Sequence, residues 1–167
     1  RLVSKVGEAD QAQRPESHKR AELRERVLLA GEQALAHGVT SFHDAGVDFA
    51  TIDFYKEMEA AEELPIRRNV MIRGRSNAEL AENLAAYRMI AQDNDFLTVR
   101  SIKRQVDGAL GSHGAWWLAP YADLPSTAGL VLEPIEDIMG TARLAIEHGY
   151  QLNTHAIGDR ANREMLD

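Results

Sequence analysis

Helical and extended hydrophobic periods alternate along this chain, and that alternation limits the folds open to it. Between His18 and His37 the apolar residues Leu23, Val27, Leu28, Ala30, Ala34 and Leu35 recur mostly at steps of three or four, the stripe of one helix face, and Gly38 supplies a stop. Residues 39–44 then read as a short strand, with Ala45-Gly46 as a turn. The cycle repeats as a helix over 49–64 broken by Pro65 and a strand over 66–72. A helix opened by the capping box Ser76-Asn77-Ala78-Glu79 runs to about Gln92, and a strand follows over 97–106. A long loop, 107–132, leads to a helix with Pro134 in its first turn and Gly149 at its end, a strand over 150–155, and a last helix after Gly158. Residues 1–17 are polar and aperiodic, an irregular N-terminal segment set apart from the α/β unit over 18–167.

Strict alternation argues for a parallel sheet with helical crossovers. Four strands do not close a barrel, which takes about 250 residues. A doubly wound nucleotide-binding sheet would carry a G-x-G fingerprint between strand and helix, and Gly108, Gly111 and Gly114 contain no such pair. The expected fold is therefore a partial TIM (β/α)8 barrel. The first residue is Arg1 and the last helix stops after about two turns, so the chain is expected to be a fragment of a longer protein.

Composition excludes several functions. Without cysteine there is neither a disulfide scaffold nor a thiolate metal site, and a reducing compartment, the cytoplasm, is the expected location. A net charge of -7 argues against nucleic acid as a partner. No apolar run approaches the ~18 residues of a membrane span.

In parallel α/β folds chemistry gathers at the C-terminal ends of the strands. His43-Asp44, Arg73-Gly74-Arg75, Lys103 with Asp107, and His155 with Gly158-Asp159 fall there. His155 is a candidate metal ligand. Lys103 lies inside a strand, where a charge is costly unless used. Three roles are open to it: a partner of Asp107 or Asp44, a Schiff-base nucleophile, or a carbamate that bridges metals. In the long loop, His113 and Trp116 are candidate substrate contacts, with plain packing as the competing role for the tryptophan. His37 and His148, at helix C-termini, read as structural.

Three segments, in order, resemble amidohydrolase family 3, the YtcJ-like metal-dependent hydrolases that include N-substituted formamide deformylase. They are Gly38-Val39-Thr40-Ser41-Phe42-His43-Asp44-Ala45-Gly46, the run from Lys103 through Asp107-Gly108 and Leu110-Gly111-Ser112 to Ala115, and Thr154-His155-Ala156-Ile157-Gly158-Asp159-Arg160-Ala161. The resemblance implies a distorted TIM barrel that hydrolyses amide-type C–N bonds of small molecules through metal-activated water. It makes these four strands barrel strands two to five, Lys103 the lysine that is carboxylated in binuclear sites, and His155 a ligand of one or two divalent ions, with zinc the expected metal. The family's H-x-H motif is absent, His113 stands where the family has Arg, and Arg104 and Gln105 replace residues that are usually apolar. Two ligands fall short of a complete site, so the isolated chain is expected to be inactive. A Schiff-base lyase or aldolase and a catalytically inactive remnant are the alternatives. An inner sheet face carrying some of Phe42, Val70, Ile72 and Val106 would need cover, by a second copy in a homodimer or by further parent-chain segments.

Overall fold

The computed structural model describes residues 14–90 and 95–167. Among them five α-helices alternate with four strands: α1 (Glu16–Ala36), β1 (Ser41–Val47), α2 (Phe49–Ala60), β2 (Arg67–Ile72), α3 (Asn77–Tyr87), β3 (Leu97–Gln105), α4 (Ile135–His148), β4 (Gln151–His155) and α5 (Asp159–Leu166). The loop after β3 holds one 3-10 turn, Leu110–Ser112.

The strands lie side by side in the order β1-β2-β3-β4, every pair parallel. A doubly wound sheet reverses its order at a switch point and carries helices on both faces. Here the order never reverses. Val70 and Ile72 of β2 and Leu97, Val99 and Ile102 of β3 share one core with Val27 of α1, Ile52 and Met58 of α2, Leu80 and Leu84 of α3, and Ala145 of α4. The helices thus cover a single face, and the sheet is an arc of a (β/α)8 barrel wall.

Local chemistry sets the ends of these elements. Ser76 accepts the Glu79 amide while the Glu79 carboxylate accepts the Ser76 amide, the full capping box. Gly149 closes α4 at φ 70°, a conformation that costs glycine little. Pro134 precedes the first turn of α4 as its N-cap, with extended backbone, rather than entering that turn. Gly31 lets α1 approach the next crossover, because a Cβ there would sit 2.0 Å from Pro65 Cγ. Ion pairs Arg20–Glu57 and Arg24–Glu63 join α1 to α2 and the turn after it.

The sheet's apolar and polar faces are the reverse of the sequence expectation. Val70, Ile72 and Val106 are buried on the helical side, and Phe42 shares that side through its pairing with Arg68. The opposite, open face carries Ser41 and His43, Asn69 and Met71, Ser101, Lys103 and Gln105, and Gln151, Asn153 and His155. A polar face stays wet without the cost that an apolar one would incur, so the argument for covering it on hydrophobic grounds falls away.

Candidate functional site

Lys103 pairs with Asn153, and Gln105 with His155, across the parallel β3–β4 ladder. Since Ile102 and Arg104 turn toward the helices, Lys103 and Gln105 turn to the open face. Lys103 and His155 therefore share that face near the strands' C-terminal ends. Lys103 is half-buried and has no hydrogen-bonding or carboxylate partner among the described residues.

The two carboxylates expected beside Lys103 are engaged elsewhere. Asp44 lies on the helical side, accepting the Tyr55 hydroxyl at 3.0 Å with Arg68 Nη1 3.8 Å away. Burial, reinforced by the Asp44 charge, pushes the Tyr55 hydroxyl up to about 12. Asp107 is fully buried and accepts the backbone amides of Trp116 at 2.9 Å, Ile157 at 3.0 Å and Gly158 at 2.8 Å. It ties the loop after β3 to the turn after β4. Gly158 is part of the same knot, because a Cβ there would fall 1.8 Å from the Trp116 carbonyl oxygen.

His155 stands beside this knot. Its Nε2 is 3.7 Å from Asp107 Oδ1, too far for a hydrogen bond, and is buried without a partner. A buried imidazole nitrogen left unpaired suits a metal ligand. Among the described residues no three His, Asp or Glu side chains converge as a metal site. A lysine ammonium has no lone pair to offer, so Lys103 could hold a metal only after losing a proton, as the free amine or as its carbamate. These two residues fit as part of a larger ligand set.

His113 shares a 3.0 Å hydrogen bond with Asp123 and meets the Tyr121 ring edge-on at 4.7 Å. That bond holds the Asp123 carboxyl below the usual carboxylate range. Trp116 packs against the small cluster of Val106, Ile138 and Ala161, with the Arg160 guanidinium 4.6 Å over its ring. In this structure both residues are engaged in holding the long loop together. His37 binds the Gln33 carbonyl at 2.8 Å, and His148 ends α4.

Arg104 and Gln105 also find their reasons here. Arg104 reaches the helical side and donates to Thr141 Oγ1 at 2.7 Å, Asn77 Oδ1 at 2.9 Å and Glu133 Oε2 at 3.2 Å. A polar network replaces apolar packing at that point. Gln105 accepts a 2.5 Å hydrogen bond from Arg73, which crosses the open face from the end of β2. Sequence reasoning missed this pair and the three-amide role of Asp107. The Arg73-Gly74-Arg75 segment at a strand end was the available signal for the first; the second depends on amides distant in sequence.

The comparisons with known proteins agree with this geometry. The model of the Amidohydrolase family matches residues 4–167. "Protein LONG AFTER FAR-RED 3" of Arabidopsis thaliana is 28% identical over 156 residues, which are 87% of this chain and 26% of that protein. "Putative amidohydrolase YtcJ" of Bacillus subtilis (strain 168) is 39% identical over 67 residues, 40% of this chain and 13% of that protein. A crystal structure of an uncharacterized metal-dependent hydrolase from Pyrococcus furiosus superposes with a TM-score of 0.75 at 26% identity, over 89% of this chain and 31% of that one. Its counterpart from Pyrococcus horikoshii OT3 gives 0.69 at 27% identity, over 83% and 28%. The chain thus spans about a quarter to a third of the proteins it matches along most of its length. By its family match and by the sheet it folds into, it belongs to the amidohydrolase family.

Proposed function

We propose that this chain is part of the barrel of a metal-dependent hydrolase that cleaves an amide-type C–N bond in a small molecule. The observation that carries the reading is the buried, unpartnered Nε2 of His155, on the same face as Lys103 and near the ends of adjacent strands. His155 would offer that nitrogen to a divalent ion, zinc by preference for imidazole and oxygen donors. Lys103, once neutral, would add carbon dioxide through a new N–C bond, release a proton to water, and present a carboxylate to the metal. A divalent ion held there supplies water activation and polarises the scissile carbonyl. Asp107, through its three amides, would keep the His155 turn fixed while substrate enters and product leaves. The remaining ligands and the proton-transferring carboxylate would come from other strands of the whole protein.

The amine of Lys103, which no carboxylate among the described residues occupies, favours a second reading, a Schiff-base lyase. Borohydride reduction with a carbonyl substrate, followed by peptide mass mapping, separates the two: trapping at Lys103 supports the lyase.

No helix among the described residues is long and apolar enough to cross a membrane, and we assign the protein to the cytoplasm on its lack of cysteine. A unit boundary near residue 17 goes with this reading; α1 begins at Glu16, and residues 1–13 lie outside the described residues. Further strands of the parent protein, or a second copy, would cover the edges of β1 and β4. The test of the main reading is hydrolysis of an amide panel by the full-length protein, with chelation and metal re-addition. Activity lost on chelation, restored by zinc and absent in His155→Ala supports it; metal-independent turnover contradicts it.

A further inference from the structure

The four strands contain a single carboxylate, Asp44, and it points to the helices. The open face instead carries Lys103, His43 and His155, and Arg73 at its rim, in a chain whose net charge is -7. Acidic groups are thus kept off the one face where substrate would meet the strand ends.

Arg73 is held there by built features. Gly46 clears its path, since a Cβ at that position would fall 2.4 Å from Arg73 Cδ. Gln105 then fixes one end of the guanidinium through the 2.5 Å bond from Nη2. Among the described residues no carboxylate pairs with Arg73, although most of the other arginines that cross between elements have one: Arg20, Arg24, Arg68, Arg75 and Arg104 do. Glu133 is nearby on the helical side, but its two oxygens serve Arg104 and the Gln105 amide. A positioned guanidinium has five donors in a planar fork, and one hydrogen bond leaves most of them available.

We propose that Arg73 is a specificity-determining residue that binds a carboxylate group of the substrate, so that the hydrolase acts on an anionic, carboxylate-bearing amide. This rests on the hydrolase reading above and deepens it by naming the substrate class. A planar carboxylate matches the guanidinium fork with two parallel hydrogen bonds, whereas a neutral amide at the same place satisfies at most part of it.

The test is titration calorimetry on the full-length protein as purified, with N-acetylglycine, its neutral amide N-acetylglycinamide, and inorganic phosphate. The expected result is that N-acetylglycine binds about tenfold or more tightly than the amide, and that Arg73→Gln removes this difference. Arg73→Lys, which keeps the charge but loses the fork, should fall between, and it serves as the reading if Arg73→Gln fails to fold. Arg75→Gln, which alters an arginine paired with Asp48, should leave the difference intact. Equal binding of the two acetyl compounds, no binding of either, unchanged affinity in the Arg73 variants, or tighter binding of phosphate than of N-acetylglycine each overturns the proposal. A protein that hydrolyses amides yet treats both probes alike refutes this inference alone. Arg73-dependent carboxylate binding without metal-dependent hydrolysis refutes only the hydrolase reading.

Discussion

Asp107 accepts the amide of Gly158 at 2.8 Å, fifty-one residues along the chain, and this bond sets where His155 stands. The carboxylate also takes the amides of Trp116 and Ile157, so one buried group fixes two loops and the end of β4. Replacing it with alanine would strand buried donors, each costing about 1–3 kcal/mol. Urea unfolding followed by circular dichroism should show Asp107→Ala destabilised by about 3 kcal/mol or more, and Asp107→Asn by less, because its carbonyl still accepts. A loss under about 0.5 kcal/mol, the scale of an ordinary surface change, would contradict the knot.

Gly158→Ala tests the same knot by steric means. The added methyl would meet the Trp116 carbonyl oxygen at 1.8 Å, and neither backbone moves without breaking the bonds to Asp107. A cost of about 1–3 kcal/mol is expected, with altered tryptophan fluorescence. Wild-type stability together with an unchanged spectrum would refute the close approach.

Arg104 and Glu133 should be energetically coupled. Their 3.2 Å pair is part of a network with Thr141 and Asn77, in which the arginine side chain is only 11% exposed. A double-mutant cycle of Arg104→Met and Glu133→Gln is expected to give an interaction of about 0.5–3 kcal/mol. Additivity would reduce the network to independent contacts.

Alkaline pH should weaken the fold through Tyr55 and Tyr150. Burial raises both hydroxyls above the ordinary 10.0, Tyr55 to about 12. The unfolded chain therefore loses these protons at lower pH than the folded one, and stability present below pH 10 declines as pH rises from about 10 toward 12. Tyr150→Phe, which also loses the 2.8 Å bond to the Leu84 carbonyl, should be less stable near neutrality yet less sensitive to alkali. An identical alkaline slope in wild type and variant would refute the linkage.

Much of the architecture was legible because its signals are local. Ser76 and Glu79 sit three apart, Gly149 follows α4 directly and Gly38 lies two residues past α1, so each boundary is written within one turn of chain. Boundaries that depend on partners were less accurate. β1 runs on to Val47, past the expected Ala45-Gly46 turn, because Val47 pairs with Ile72 beyond a bulge. α3 ends at Tyr87 rather than near Gln92, as Met89 bridges to Val99.

The shared face of the candidate residues was legible because position along a strand decides it. Lys103 and His155 follow from alternation and register. Which face is apolar does not follow from alternation alone: Val70 and Ile72 belong with the helices, and Asn69 on the other parity was the quieter clue. The partners of Arg104 lie 27 to 37 residues away in sequence and no short-range pattern announces them.

The most direct measurement is the anomalous scattering of zinc in crystals of the full-length protein. A peak about 2.0–2.1 Å from His155 Nε2, with Lys103 density extended by a carboxyl group on the same ion, is the predicted result. Zinc bound away from His155, with the Lys103 amine unmodified, would contradict the account.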